Sequence, residues 1–361
     1  MTRIGRCQLT FTVSTLLASN VLAADQFSFY GRQGPSAAVR YASVIAGVDL
    51  GAEINALYDS LPAGGGMIVV EESGSFQTPI AFATPGKPVL LVGLPADVVT
   101  LTYTGSGGAA MTFDYGTGHR MGHGMRDLTL TGPGDSTNTI GVLFGGANGA
   151  EGIGFRDFKI QCFGVNMEMG SHTWLANFDH GILRDAKTNV LLPSGLVEAG
   201  EQIVFHHVTF ADAPAPHTDS VWVQGGGQEV IFTDCSFDHA QLRIGNGSVS
   251  AAQVVVQGSH FENPNYAEPG ATNYDYIVVD NNGNNLLRIT DSYFLQDAPR
   301  NGPKQLMTVS GGRVRIYGIG MYTPPGSPLT NFAVARNGAL VDIADSDDLG
   351  GNVTGPLCAQ Q

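Results

Sequence analysis

Two carboxylates follow two similar apolar strings, at a spacing that suits acid and base chemistry. Asp238 comes directly after Phe237, and Glu262 comes directly after Phe261 in the next string of the same pattern. If the two strings are neighbouring parallel strands, the carboxylates lie about 5 Å apart. Glycosidases use paired Asp or Glu side chains, about 5 to 5.5 Å apart in retaining enzymes and about 6.5 to 9.5 Å apart in inverting ones. Asp238 and Glu262 are therefore the leading catalytic candidates.

A proline-rich segment just before this pair, ADAPAPHTDSVWV, holds further polar candidates. We expect Asp212 and Asp219 to assist catalysis from this segment, which its prolines should stiffen. His217 and Trp222 are candidates for substrate binding, since a Trp ring in a polar groove packs well on the face of a sugar. Two alternatives stay open: the carboxylates are ordinary solvated loop residues, or Trp222 lies in a strand and turns towards another coil.

Other residues around the pair are candidates for holding a glycan. They are His239, Arg243, Tyr266, Tyr274 and Glu201. Long loops on a rigid scaffold commonly carry binding residues, and the loop that holds Tyr266 and Tyr274 also holds Tyr276. No metal site is predicted, because His119 and His123 lie in a glycine-rich loop without a third ligand.

Charge and cysteine content restrict the class of protein. The formal net charge is −14, and the lysines are Lys87, Lys159, Lys187 and Lys304. Such a chain repels phosphate backbones and anionic membranes, so neither nucleic acid nor a membrane is an expected partner. After the first residues, the chain has three cysteines, which are Cys162, Cys235 and Cys358. Their spacing fits neither a disulfide framework nor a zinc site, and we expect Cys162 and Cys235 to be buried free thiols.

The elements that must position these residues form a repeat of short strands. Strings such as IVFHHVTF, VIFTDCSF, VVVQGSHF and LRITDSYF share three alternating residues, a turn pair and a closing apolar residue. The closing residues recur at intervals of 24 to 33 residues, and they are Phe210, Phe237, Phe261, Phe294 and Met321. A period of this length indicates a solenoid in which each coil buries its apolar face on its neighbours. We predict an all-β, single-stranded right-handed parallel β-helix, with a β-sandwich or propeller as alternatives.

One turn position of the repeat is mostly acidic. It holds Asp127, Asp157, His207, Asp234 and Asp291, with Gly258 and Gly318 in two coils. Asp bonds readily to turn backbone, so we interpret this column as a structural ladder.

The two ends of the chain predict additional segments. Residues 1–24 have arginines, an apolar run and small residues in the order of a secretory signal peptide, which predicts a secreted or periplasmic protein. The segment DLGAEINALYDSL has apolar residues at helical spacing and predicts a cap helix over about residues 49–61. The predicted β-helix domain spans residues 25–350, and residues 351–361 are predicted to be a polar C-terminal tail.

Several segments resemble secreted and phage tail-spike proteins of the pectate-lyase-like superfamily. They are DLGAEINALYDSLPAGGGMIVV, KPVLLVGLPADVVTLTYTGSGGAAMTFDYG, NTIGVLFGGANGAEGIGFRDFKI and VLLPSGLVEAGEQIVFHHVTF. The resemblance implies a right-handed parallel β-helix, a polysaccharide or oligosaccharide as substrate and a possible homotrimer. It does not select a reaction, because the superfamily includes hydrolases, lyases, transferases and non-catalytic binders.

Three functions therefore stay open. The paired carboxylates favour a glycoside hydrolase or transglycosylase without a cofactor. A polysaccharide lyase would act by β-elimination on a uronate glycan, with calcium bridging carboxylates to the substrate. A non-catalytic protein would use the same groove only to bind glycan.

Overall fold

Parallel strands stack coil upon coil along this chain into a β-solenoid. The computed structural model describes residues 38–44, 47–96, 98–116, 122–211, 220–225, 227–247, 252–262, 275–280, 286–296, 305–326, 328–346 and 352–361. The predicted signal peptide lies outside the described residues. Within the described part, Ala38–Gln361 form one unit.

Each coil contributes strands to a large sheet and to a second sheet. The large sheet contains β1 Ala38–Ala42, β2 Gly66–Val70, β3 Gly74–Phe76, β5 Val89–Gly93, β6 Thr100–Tyr103, β8 Gly124–Thr131, β11 Gly154–Gln161, β14 Asn177–Arg184, β16 Ile203–Ala211, β18 Gln228–Thr233, β19 Ser236–Asp238, β21 Ala252–Gln257, β22 His260–Glu262, β24 Leu286–Thr290, β25 Tyr293–Leu295, β27 Arg313–Tyr317, β28 Gly320–Tyr322 and β30 Leu340–Ala344. The second sheet contains β4 Ile80–Phe82, β7 Gly107–Phe113, β9 Asn138–Phe144, β12 Val165–Met169, β15 Thr188–Leu192, β17 Val221–Val223, β20 Leu242–Ile244, β23 Ile277–Asp280, β26 Met307–Ser310, β29 Ala333–Ala335 and β31 Cys358–Gln360. A short pair, β10 Ala150–Glu151 and β13 Thr173–Trp174, stands apart from both sheets.

The register confirms the repeat that the sequence predicted. The closing apolar residues are Cα partners in successive strands, in the order Phe210, Phe237, Phe261, Phe294 and Met321. Side chains alternate across a strand, so a buried Phe237 leaves Ser236 and Asp238 on the outer face of β19. The apolar column thereby decides which polar residues face outwards.

Stacked aromatic rings fill the interior behind this face. The ring of Phe261 lies nearly parallel to that of Phe237 at 4.5 Å and to that of Phe294 at 4.8 Å, measured between centroids. These distances follow the spacing between neighbouring parallel strands. Tyr276, which the sequence grouped with a groove loop, is instead buried in this core, and its hydroxyl donates to the carbonyl of Leu295.

The acidic turn column adopts a left-handed backbone conformation. Asp127, Asp157, His207, Asp234 and Asp291 have φ between 50° and 54°, and Gly258 and Gly318 at the same position have φ of 61°. His180 and Asp345 share the conformation, which extends the column beyond the residues that the sequence identified. Gly, Asp and His tolerate this region better than other residues, which explains the composition of the column.

Within the described part of the chain, a helix packs against the first coils. Helix α1, Leu50–Ser60, begins after the N-cap Asp49, whose carboxylate accepts a hydrogen bond from the amide of Ala52 at 3.0 Å. Its buried residues include Ile54 and Tyr58, and the Tyr58 ring packs edge-on against Phe82 at 5.1 Å. The cap helix predicted at about 49–61 is therefore present with nearly the same ends.

The other end of the chain differs from the predicted tail. Strand β31 pairs in parallel with β29 and extends the second sheet, so the last residues belong to the solenoid. A polar, glycine-rich sequence concealed this strand, which is only three residues long. No helix among the described residues is long and apolar enough to cross a membrane.

Candidate active site

Asp238 and Glu262 lie side by side on the outer face of the large sheet. They are Cα partners in the pairing of β19 with β22, and both side chains are half-buried. One carboxylate oxygen of each and a ring nitrogen of His260 all lie within 4.8 Å of one another. The structure thus places the two carboxylates at the separation expected from the repeat, with an imidazole beside them.

Residues two positions earlier in the same strands, and their partner in the next strand, extend this face. Ser236, His260 and Tyr293 are Cα partners in β19, β22 and β25. The Ser236 hydroxyl donates a hydrogen bond to the carboxylate of Asp238. The ring of His260 stacks with that of Tyr293 at a centroid distance of 5.9 Å. The carboxylate pair therefore lies within a group of polar and aromatic side chains.

His239 marks the end of this face. Its φ is 55°, and its amide donates to the carbonyl of Glu262 at 2.8 Å. The left-handed residue ends β19, and β20 begins three positions later at Leu242. The backbone of His239 thus links the ends of the two strands that hold the carboxylate pair.

Trp222 and Arg243 are paired on the outer face of the second sheet. They are Cα partners in β17 and β20, and the Arg243 guanidinium lies 4.9 Å from the centroid of the indole ring. The indole N–H donates to the carbonyl of Gly245 at 2.8 Å, and Nη2 of Arg243 lies 3.0 Å from Oδ2 of Asp280. Trp222 therefore occupies a strand and contacts the next coil. This is the alternative in which Trp222 lies in a strand and turns towards another coil.

Glu201, another predicted residue, is not brought to the carboxylate pair. Glu201 lies in the exposed turn before β16, at the opposite end of this nine-residue strand from Ala211, the neighbour of Asp238. A strand rises about 3.3 Å per residue, so Glu201 and Ala211 lie a full strand length apart. The remaining predicted residues, Asp212, His217, Asp219, Tyr266 and Tyr274, lie outside the described residues.

Sequence reasoning missed several residues on these faces. Ser236, His260 and Tyr293 could have been found from the alternation of side chains, because each lies two positions before Asp238, Glu262 or Leu295 and so shares its face. Glu168 on β12 lies in the outward column that leads through Leu191 to Trp222. Partial burial raises the pKa of the Glu168 carboxyl above its ordinary value. Its sequence context, VNMEM, gave no signal of that burial.

Burial disfavours the thiolate form of the three described cysteines by raising the pKa of each thiol. The three described cysteines are free, and Cys235 is buried while Cys162 is half-buried rather than fully buried as expected. Burial raises the pKa of the Cys235 thiol to about 12, so the thiolate is scarce at neutral pH.

Comparison with known proteins shows similarity in sequence to a phage protein. No family model matches the chain. A capsule K2-specific depolymerase of Klebsiella phage vB_KpnP_KpV74 is 24% identical over 174 residues, which are 47% of this chain and 28% of the depolymerase. The chain therefore matches less than a third of that protein's length.

Solved structures give a wider match. The enzymatically active domain of tailspike protein 4 from bacteriophage CBA120 superimposes with a TM-score of 0.64 and 19% identity, over 84% of this chain and 43% of that one. The chain folds as a parallel β-helix. An endo-xylogalacturonan hydrolase from Aspergillus tubingensis matches this β-helix with a TM-score of 0.56 and 13% identity, over 90% of this chain and 99% of that one. The resemblance expected from the sequence is thus confirmed for the fold.

Proposed function

We propose that this β-helix protein degrades polysaccharides as a glycoside hydrolase, with Asp238 and Glu262 as its catalytic carboxylates. The observation that carries the proposal is their pairing in register on the outer face of β19 and β22, with carboxylate oxygens no more than 4.8 Å apart. This separation is close to the range of about 5 to 5.5 Å in retaining enzymes and below the range of about 6.5 to 9.5 Å in inverting ones.

The two carboxylates differ in their surroundings, which suggests their roles. Asp238 is held in one orientation by the Ser236 hydroxyl, and a fixed carboxylate suits attack on the anomeric carbon. Glu262 then protonates the glycosidic oxygen of the leaving group. In the second step Glu262 removes a proton from water, and this water releases the sugar from Asp238 with net retention of configuration.

Exposed aromatic residues extend the face towards the C-terminal coils. Tyr293 is 42% exposed beside His260, and Tyr322 is 45% exposed on β28. Tyr322 is the Cα partner of Leu295, which is the partner of Glu262. Each step from strand to strand is about 4.8 Å, so a glycan lying along the solenoid axis would cross these rings.

The relatives support a polysaccharide as the substrate class. The phage relative is named as a capsule depolymerase, and the fungal structure is an endo-xylogalacturonan hydrolase. A secreted or periplasmic location, reached through the signal peptide predicted at residues 1–24, would place this protein with such substrates.

The proposal predicts that conservative changes at the pair remove activity. We expect Glu262→Gln to lower kcat by about 10² to 10⁴-fold, the range for general acid and base catalysis. Asp238→Asn removes the proposed nucleophile and should lower kcat at least as much. The measurement is the release of reducing ends from panels of neutral and acidic glycans. Asp342→Asn and Glu229→Gln, which lie elsewhere on the large sheet, are matched controls and should keep full activity.

Each other outcome has a defined meaning. Full activity in Asp238→Asn and Glu262→Gln would show that the catalytic site lies elsewhere. New ultraviolet absorbance from an unsaturated sugar would indicate β-elimination and a lyase. Binding without cleavage on a broad panel would indicate a non-catalytic glycan-binding protein. Proton NMR of the first product formed should show the anomer of the substrate, and the opposite anomer would contradict the role of Asp238 as nucleophile.

A further inference from the structure

A second group of polar side chains lies on the large sheet, apart from the carboxylate pair. It is called here the histidine cluster, and its members are Asp179, His180, His206, His207 and Asp234. They come from three successive coils, in β14, in β16 and in the turn after β18. The side chains are 25% to 49% exposed, so an ion from solvent can reach them.

The left-handed column brings the imidazoles together. In a regular strand His206 and His207 would point to opposite faces. The φ of 51° at His207 interrupts the alternation, and the two ring centroids lie only 3.9 Å apart. Asp234 occupies the equivalent left-handed position of the next coil, also with a φ of 51°. The same left-handed conformation thus recurs at the equivalent position of the next coil. It brings the side chains of three potential ligands together.

The ligand atoms already face one another. Nε2 of His206 lies 3.8 Å from Oδ2 of Asp234, and Nε2 of His207 lies 3.9 Å from the same oxygen. A tetrahedral zinc ion with bonds of about 2.0 to 2.1 Å holds its ligand atoms about 3.3 to 3.5 Å apart. Small side-chain rotations would close the difference. We propose that His206, His207 and Asp234 bind a divalent zinc-class ion, with the fourth position open to solvent.

Asp179 supplies the orientation that such a site requires. Its Oδ1 lies 2.8 Å from Nδ1 of His206, at the side of the ring opposite to Nε2. A carboxylate that accepts a hydrogen bond from one ring nitrogen fixes the tautomer and leaves the other nitrogen free to bind metal. The same oxygen lies 2.9 Å from Nδ1 of His180, so Asp179 contacts both imidazoles. Asp179 is therefore placed to orient the ring of His206 towards the proposed ion.

The next coil leaves room for Asp234. Gly258 follows Asp234 in the left-handed column, and a Cβ on Gly258 would collide with Oδ1 of Asp234. The carboxylate therefore extends over a position without a side chain, while its other oxygen faces the two histidines. This arrangement does not depend on the proposed hydrolase activity, because none of its ligands belongs to the carboxylate pair.

The test uses zinc chloride and the full chain without a polyhistidine tag. Isothermal titration calorimetry should give one zinc site, and cobalt(II) should give the visible absorption of a tetrahedral complex. Asp234→Asn and His207→Asn keep residues that tolerate a left-handed backbone, so folding should be retained. Both variants should lose zinc affinity by more than Asp179→Ala, which should weaken binding about 10- to 100-fold as an orienting residue.

Matched controls separate this site from its neighbours. His172→Asn changes another left-handed histidine, on a half-buried turn, and should leave zinc affinity unchanged. Unchanged affinity in Asp234→Asn and His207→Asn would overturn the proposal. Loss of binding in His180→Asn together with full binding in Asp234→Asn would also overturn it, because the ion would then lie at Asp179, His180 and His207. Loss in Glu262→Gln alone would place the ion at the carboxylate pair instead.

Discussion

Single residues on this solenoid differ mainly in what the neighbouring coil places against them. Asp234 and Asp291 occupy the same left-handed position, yet only Asp234 has histidines of the preceding coil within 4 Å among the described contacts. A backbone position that the sequence identifies as structural can therefore also hold side chains for binding. The difference arises from the residue one coil away, which is His207 beside Asp234 and Gly258 beside Asp291.

Glu168 gives a prediction at this scale about pH and stability. Burial raises the pKa of its carboxyl in the folded state above the ordinary value of 4.5. Below that ordinary value the carboxyl is protonated in both states, so ionisation costs nothing. As the pH rises through the raised pKa, the buried charge lowers the free energy of unfolding. Glu168→Gln removes this cost, and we expect its Tm to exceed that of the parent at neutral pH but not at about pH 4.

Differential scanning calorimetry at the two pH values checks this prediction. Glu71→Gln, at an exposed position just after β2, is the matched control and should leave the Tm unchanged at both. A Glu168→Gln variant that is less stable than the parent at neutral pH would contradict the prediction, since it would mean that the ionised carboxylate is stabilising.

At the scale of the strand, a column of buried aromatic rings packs between successive coils. Phe261 is fully buried between the rings of Phe237 and Phe294. Removing a buried Phe side chain costs both transfer free energy and a cavity, about 3 to 5 kcal/mol. We expect Phe261→Ala to lower the free energy of unfolding by this amount, measured by urea unfolding followed by circular dichroism.

The position of the Phe in the strand, and not its chemistry, causes this effect. Tyr41 is 56% exposed on the edge strand β1, so Tyr41→Ala should change the free energy of unfolding by less than about 0.5 kcal/mol. A similar small loss in Phe261→Ala would mean that the coils around β22 do not depend on the ring column.

The strands also show how far sequence reasoning reached the candidate site. The recurrence of closing apolar residues placed Asp238 opposite Glu262. A shift of one residue in the register of either strand would turn its carboxylate to the core face, so burial of the apolar residues fixes the pairing. The same alternation implied that Ser236 and His260 share their face. The contact of Trp222 with Arg243 could not be predicted, since it depends on the side-chain conformations of residues 21 positions apart.

At the scale of the whole molecule, the negative net charge would oppose the approach of an acidic glycan to the proposed site. The formal net charge is −14, so the molecule repels an acidic polysaccharide over roughly a Debye length. This length falls from about 30 Å at 0.01 M salt to about 10 Å at 0.1 M. If the protein is the proposed hydrolase, we expect KM for an acidic glycan to fall over this range and KM for a neutral glycan to stay constant.

Initial rates on one acidic and one neutral oligosaccharide of similar length provide the measurement. A rise of KM for the acidic glycan with salt would contradict the prediction and would indicate a locally cationic groove. The homotrimer implied by the family resemblance stays a proposal, and light scattering of the purified full chain would test it.

The sequence by itself determined the period, the apolar column, the cap helix and the acidic turn column. Each follows from local chemistry: alternation fixes the buried face, helical spacing and Asp49 fix α1, and Asp, His or Gly occupies the turns with positive φ. Only the tertiary structure decided which polar residues meet. His206, His207 and Asp234 converge because β16 and β18 pair in a particular register, and Asp179 orients His206 from the coil before. The repeat in the sequence already aligned His207 with Asp234, whereas the side-chain orientations that bring the imidazoles within 4 Å of the carboxylate depend on packing between the folded coils.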